Sequence, residues 1–439
     1  DAEERTGPYH LLAPALGDWL RRRDPEAKVF TASPKNRAAV LLGGLGADGA
    51  YWYDDETGTF ESSEYYREAE PDWLAELTAE RWVDRYFGTP WQPLPLPEGM
   101  PEEARGELGL DSLGVTDLDT GVFDRTFPHA LGRSRTAPTE SFYEAIYDSP
   151  FVDEVLVELV RRMVEAENLG TDEHTDLLGV SFSSLDTVGH EYGPNSPEIL
   201  DAVRRIDRGL GRLLDLVEAR VGRDRLVVAL SADHGVMPLP EYERLQGRDA
   251  HREDARDVAC VQSVFGRLAG EVGAPGGAGP WLGFPGYLNP DAVAAGGRSR
   301  QEVERRARTI LEACPTVERV WTRTELAGPL FDEEDVPADS MAALYRNAFH
   351  PERSPDLLIQ RKPYRLDDPV PGTTHLSPYP FDTHVPMIVR APGLDPARID
   401  RPVATVDLAP TVAALAGIPA PDGLDGTDLL SGEGGGEGR

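Results

Sequence analysis

Asp186 and His190 stand four residues apart in the string SLDTVGH. On a helical turn that spacing puts a carboxylate and an imidazole on one face. A hard oxygen beside a borderline nitrogen is donor chemistry for Zn2+. Asp233 and His234 are adjacent, with Gly235 behind them. Neighbours on an extended strand point to opposite faces, so this pair converges on one ion only where the chain bends past a strand end. Gly235 is expected to permit that bend. Asp382 and His384 form a third pair, which precedes the apolar run VPMIVRAPG rather than following one. To reach the same sheet edge, that strand must run antiparallel or its entry loop must fold back. Each pair alone is ordinary surface chemistry. Together Asp186, His190, Asp233, His234 and His384 exceed the needs of one tetrahedral ion. They predict two metals about 4 Å apart, an arrangement that clamps both oxygens of an in-line phosphoryl displacement.

A fourth element is cationic. Lysine occurs only at Lys28, Lys35 and Lys362, in a chain with 77 acidic and 44 basic residues and a formal charge of −33. Against that background Lys35-Asn-Arg37 stands out. If the segment is extended, the two cations face the same way. Lysine then supplies a point charge to a phosphoryl group, and arginine supplies planar, bidentate donors. The overall charge excludes a general binder of nucleic acid or anionic membranes. No apolar run approaches the ~18 residues of a membrane span. The two cysteines, Cys260 and Cys314, are expected to be separate buried thiols, and alone they do not define a redox compartment. The opening residues lack the basic and apolar regions of a signal peptide.

The elements that must position these groups read as α/β. Residues 11–23 have helical spacing, 28–33 (KVFTAS) form a strand, and 72–87 form an amphipathic helix. Residues 88–135 are Pro-rich and then acidic, an accessory loop region. From Ser149 onward a helix, a buried strand (176–184), a long helix (196–221) and a second buried strand (225–232) alternate. Apolar strands between amphipathic helices predict a mainly parallel central sheet with helices on both faces. In such sheets, functional groups collect at strand ends. Composition changes over 245–350, read as an inserted α+β subdomain containing a Gly/Pro-rich loop (274–286), a helix (301–314) and a strand (316–323). Residues 355–362 and 385–393 are expected to return to the sheet, and 405–417 supply a last helix. The predicted organisation is a discontinuous core, 1–244 and 351–430, around the insertion, with a disordered tail at 431–439.

The strings SPKNRAAVLLGGLGADGAYWYDDETGTF, SFSSLDTVGHEYGPNSPE, LSADHGVMPLPEY, GTTHLSPYPFDTHVP and VDLAPTVAALAGIPAPDGLDG resemble the alkaline phosphatase superfamily, in particular its phosphate-irrepressible branch. The resemblance implies a two-zinc hydrolase of small phosphate monoesters working through a phospho-enzyme, exported to the periplasm or beyond. It implies that Asp186, His190 and His384 hold the first zinc and that Asp233 and His234 hold the second. Lys35 and Arg37 match the cations of the monoesterase branch, which the diesterase branch lacks. In the family an Asp ligand, a Thr or Ser nucleophile and an Asn precede the Lys-x-Arg element. None of the 34 residues before Lys35 resembles those segments. The expectation is therefore that the nucleophile lies outside these 439 residues, which alone would bind one zinc tightly without turnover. A further departure is Leu376, where the resembling string has glycine after the histidine. Two other readings remain open: phosphodiester or nucleotide-pyrophosphate hydrolysis on the same metals, and a non-enzymatic zinc or phosphate binder.

Overall fold

The structure is a computed structural model, and it describes residues 6–96, 126–132, 134, 136–272, 286–328, 340–367 and 372–431. Most of the accessory stretch, nearly all of the Gly/Pro-rich loop and the tail from 432 lie outside the described residues. The chain divides into two compact units, residues 1–233 with 385–439, and residues 234–384.

The first unit opens with α1 (Leu16–Arg23), β1 (Val29–Ser33), α2 (Asn36–Gly43), β2 (Gly49–Asp54) and β3 (Thr59–Glu61). It continues with α3 (Asp72–Ala79), α4 (Glu140–Tyr147), α5 (Phe151–Ala166), β4 (Leu177–Val180), α6 (Ser184–Tyr192), α7 (Pro197–Val221) and β5 (Val228–Ser231). The strand order β3-β2-β1-β4 makes β1 central, parallel to both β2 and β4, with β3 antiparallel at the edge. Every residue of β1 is buried. Val29 packs with Trp19 and Leu20 of α1 and with Ala413 and Ile418 from the far end of the chain. The run 38–44 is helical: Ala and Leu favour helix, and Gly44 ends it at φ +69°.

In the second unit the chain forms α8 (Pro240–Leu245), β6 (His251–Arg252), α9 (Ala255–Val272), α10 (Pro290–Ala295), α11 (Arg300–Leu311) and β7 (Val317–Thr322). Next come α12 (Arg323–Leu326), α13 (Met341–Asn347), β8 (Leu357–Arg361), β9 (Arg365–Leu366) and α14 (Pro380–Thr383). This unit is wider than the segment whose composition changes. The strand at 355–362, expected in the main sheet, is β8, and it pairs antiparallel with β7 of its own unit. Its apolar pattern specifies a strand but not a partner, and the hydrophobic face of α9 and α11 lies over β7 and β8 to bury both. The cysteines are also corrected. Cys260 on α9 and Cys314 after α11 form a disulfide, with Cα atoms 5.8 Å apart.

The chain re-enters the first unit through β10 (Met387–Arg390) and ends with α15 (Leu408–Leu415). β10 runs antiparallel to β5, with Met387 opposite Ser231. Of the two arrangements the sequence left open for the segment after His384, an antiparallel strand or a folded-back entry loop, the strand itself is antiparallel.

Candidate active site

At the end of β1, the Ser33 hydroxyl accepts the Lys35 N–H at 3.0 Å and lies 3.4 Å from the Ser183 hydroxyl, beyond β4. Lys35 is thereby fixed as the N-cap of α2. The condition that would face Lys35 and Arg37 the same way, an extended segment, is not met, because the helix starts at Asn36 and puts Arg37 on its exposed first turn. The Lys35 ammonium forms an ion pair with Asp186 Oδ2, both side chains being mostly buried. Asp186 Oδ1 lies 3.3 Å from His190 Nε2, one turn along α6. Burial opposes charge on Asp186, but hydrogen bonds from His190 and Lys35 win and hold its carboxyl well below the usual range.

A residue outside the sequence-predicted set anchors this helix. Asp153 of α5 is buried and accepts the N–H groups of Ser183 and Ser184 at 3.0 and 3.1 Å. A carboxylate there satisfies orphan donors at the α6 N-terminus and complements its dipole. Burial nevertheless pushes Asp153 up to about 6. Its signal was legible: between Val152, Val155 and Leu156, an acid occupies the apolar stripe of an amphipathic helix.

Nearby, Asp148 is pushed up to about 7, first by burial, then by Asp55 and Glu144, with Lys35 opposing. A folded-state pKa above the unfolded value means the fold favours the neutral acid. Its stabilising contribution is present below about pH 4 and is lost as pH rises towards 7. Asp148→Asn in chelator-treated protein should therefore gain stability over the wild type between pH 4 and 7, levelling near 2 kcal/mol above that (about half the full linkage value, for a group still reached by solvent). Urea titrations across that range check this, and a gain independent of pH would refute it.

In the second unit, His234 Nδ1 lies 2.8 Å from the Gly235 carbonyl. A proton on Nδ1 leaves Nε2 as the ligating nitrogen, the usual outer support of a metal-bound histidine. Gly235 is present for close approach. Its N–H donates to Asp382 O at 2.7 Å, and a Cβ there would lie 2.1 Å from the Phe381 carbonyl. His375, outside the predicted ligand set, stacks on His234 with ring centroids 3.5 Å apart. Asp382 is buried, and its carboxyl is raised by burial against the hydrogen bonds from Ser377. His384 caps α14 and is exposed. In the first unit, Asp233 is exposed two residues past β5.

The structure thus brings Lys35, Asp186 and His190 together within one unit, with Arg37 outside that contact, and His234 with His375 in the other. The Asp186–His190 donors fit a metal. Two ligands at about 2.0–2.1 Å in tetrahedral geometry lie about 3.3–3.4 Å apart, and here the donor atoms are 3.3 Å apart.

Residues 46–364 match the family described as type I phosphodiesterase / nucleotide pyrophosphatase. The chain belongs to that family. It is 28% identical over 436 residues to alkaline phosphatase PhoV of Synechococcus elongatus, covering 96% of this chain and 74% of PhoV. It is 30% identical over 438 residues to alkaline phosphatase PhoK of a Sphingomonas species, covering 97% of this chain and 73% of PhoK. The crystal structure of alkaline phosphatase PafA superposes with a TM-score of 0.79 at 25% identity, covering 96% of this chain and 78% of PafA. The family's α/β fold is therefore the fold of this chain.

Proposed function

We propose that this family member hydrolyses phosphate monoesters through a phospho-enzyme with two Zn2+, Asp186, His190 and His384 holding the first and Asp233 and His234 serving the second. The observation that carries this reading is the contact of Lys35 with Asp186, which stations a scarce lysine against a donor pair of metal-ligand spacing. Alkaline phosphatases PhoV and PhoK, similar along almost the whole chain, support it.

The metals would supply Lewis acidity to the phosphoryl oxygens and to the leaving oxygen. The chain's own residues do the rest. Asp153 holds the start of α6, and so the direction of Asp186 and His190. The Gly235 carbonyl orients the His234 ring. Lys35 brings a positive charge to the ligand carboxylate, and Arg37, two residues on, brings planar donors for equatorial oxygens. A monoester dianion carries one more phosphoryl charge than a diester, so the cations favour it. The Cys260–Cys314 disulfide supports work in an oxidising compartment outside the cytoplasm. Among the described residues no helix is long and apolar enough to cross a membrane.

The family match gives one reason to keep diester or pyrophosphate hydrolysis as a second reading. Arg37→Ala in the full-length protein separates the two. Loss of charge-assisted bonds to the extra oxygen should lower kcat/KM for a monoester about 100-fold and for a diester only a few-fold. Equal losses would make Arg37 a structural residue, and faster turnover of the diester by the unaltered protein would establish the second reading.

A further inference from the structure

Leu376 lies between two pinned stretches of the second unit. Before it, Thr373 Oγ donates to Met237 O at 2.7 Å, Met237 N–H donates to Thr374 O at 3.2 Å, and the His375 ring stacks on His234 at 3.5 Å. After it, the Ser377 N–H and hydroxyl both donate to Asp382 Oδ2, at 2.7 and 2.6 Å. Between these anchors Leu376 has φ +90°, left-handed backbone that strains any residue with a Cβ. Its side chain is 90% exposed, more than any other large hydrophobic among the described residues. Both features work against stability, and glycine would remove both. Strained residues persist where the surroundings over-determine the backbone, and they gather at ligand clamps. Here the hydrogen bonds impose the backbone, while the fold makes no use of the side chain.

We propose that Leu376 is a specificity-determining residue, projecting an apolar side chain beside the His234–His375 stack to contact the leaving group of a phosphate ester. Aryl and alkyl leaving groups are then favoured over polar, sugar-like ones. The proposal rests on the monoesterase reading, which places a metal ligand at His234. Covering a leucine with an aryl ring removes apolar surface on both sides from water, enough to favour the aryl ligand about tenfold.

The test compares the full-length wild type with Leu376→Ala and Leu376→Gly. Calorimetry gives the affinities for inorganic phosphate and phenylphosphonate, and kinetics give KM for phenyl phosphate and glycerol phosphate. Both variants should weaken phenylphosphonate about five- to tenfold relative to phosphate, and raise KM for phenyl phosphate alone. Alanine keeps the strained backbone and glycine relieves it, so Leu376→Gly should melt about 2 °C or more above Leu376→Ala. An unchanged phenylphosphonate-to-phosphate ratio, with phosphate binding intact, overturns the role of Leu376 alone. Equal weakening of both ligands also overturns it, since that marks a structural residue. Failure of the wild type to bind phosphate at all sinks the monoesterase reading, and this proposal with it.

Discussion

Replacing Asp186 with alanine in the full-length protein should remove about one zinc per chain and slow monoester turnover by about 1,000-fold or more. The effect is large because two functions fail together. The carboxylate is one of the donors proposed for the first ion, 3.3 Å from the His190 nitrogen. It is also the ion-pair partner of the mostly buried Lys35, which would lose that contact. Zinc per chain by mass spectrometry, measured beside turnover, distinguishes metal loss from unfolding, since circular dichroism should change little. Asp186→Ala protein that keeps its full zinc content and works within about tenfold of wild type would remove Asp186 from the ligand set.

The second large effect concerns stability. Changing both Cys260 and Cys314 to alanine should destabilise the second unit by about 2–4 kcal/mol. The bridge closes a sequence separation of 54 residues and joins α9 to the end of α11. Cys314 is 2% exposed within the core cluster of Val303, Ile310 and Val320, so alanine avoids burying a new hydroxyl. Reduction of the wild-type protein should lower stability by a similar amount, while the double variant should ignore reductant. Two free thiols per chain, titrated in unreduced denatured protein, would show that the bridge does not form.

The contact of Asp186 with His190 was readable because it is local. The four-residue spacing of Asp186 and His190 needs only one helical turn to bring them together, and α6 supplies that turn. Asking how a histidine before a strand could reach a strand end left two answers, an antiparallel strand or a folded-back loop, and β10 runs antiparallel to β5. The facing of Arg37 with Lys35 depended on an extended segment, and that condition fails for an equally local reason. A two-residue alternation means one face on a strand but not on a helix, and α2 begins one residue earlier, at Asn36. Gly235 was assigned a bend, yet the constraint on it is the Phe381 carbonyl, far along the chain.

By itself the sequence determined the donor chemistry, the placing of Asp186 with His190 and of Asp233 with His234 just beyond apolar strands, and the α/β class, because each depends on residue type and short-range periodicity. Tertiary structure decided the partners. Lys35 meets Asp186 across 151 residues, Asp153 reaches Ser183 across 30, and Cys260 finds Cys314 across 54. It also sent the strand at 357–361 to β7 rather than to the main sheet. The physical reason is common to all four. A strand's pattern or a lone charge offers the same bonding to many partners, and only the simultaneous burial of several segments selects one of them.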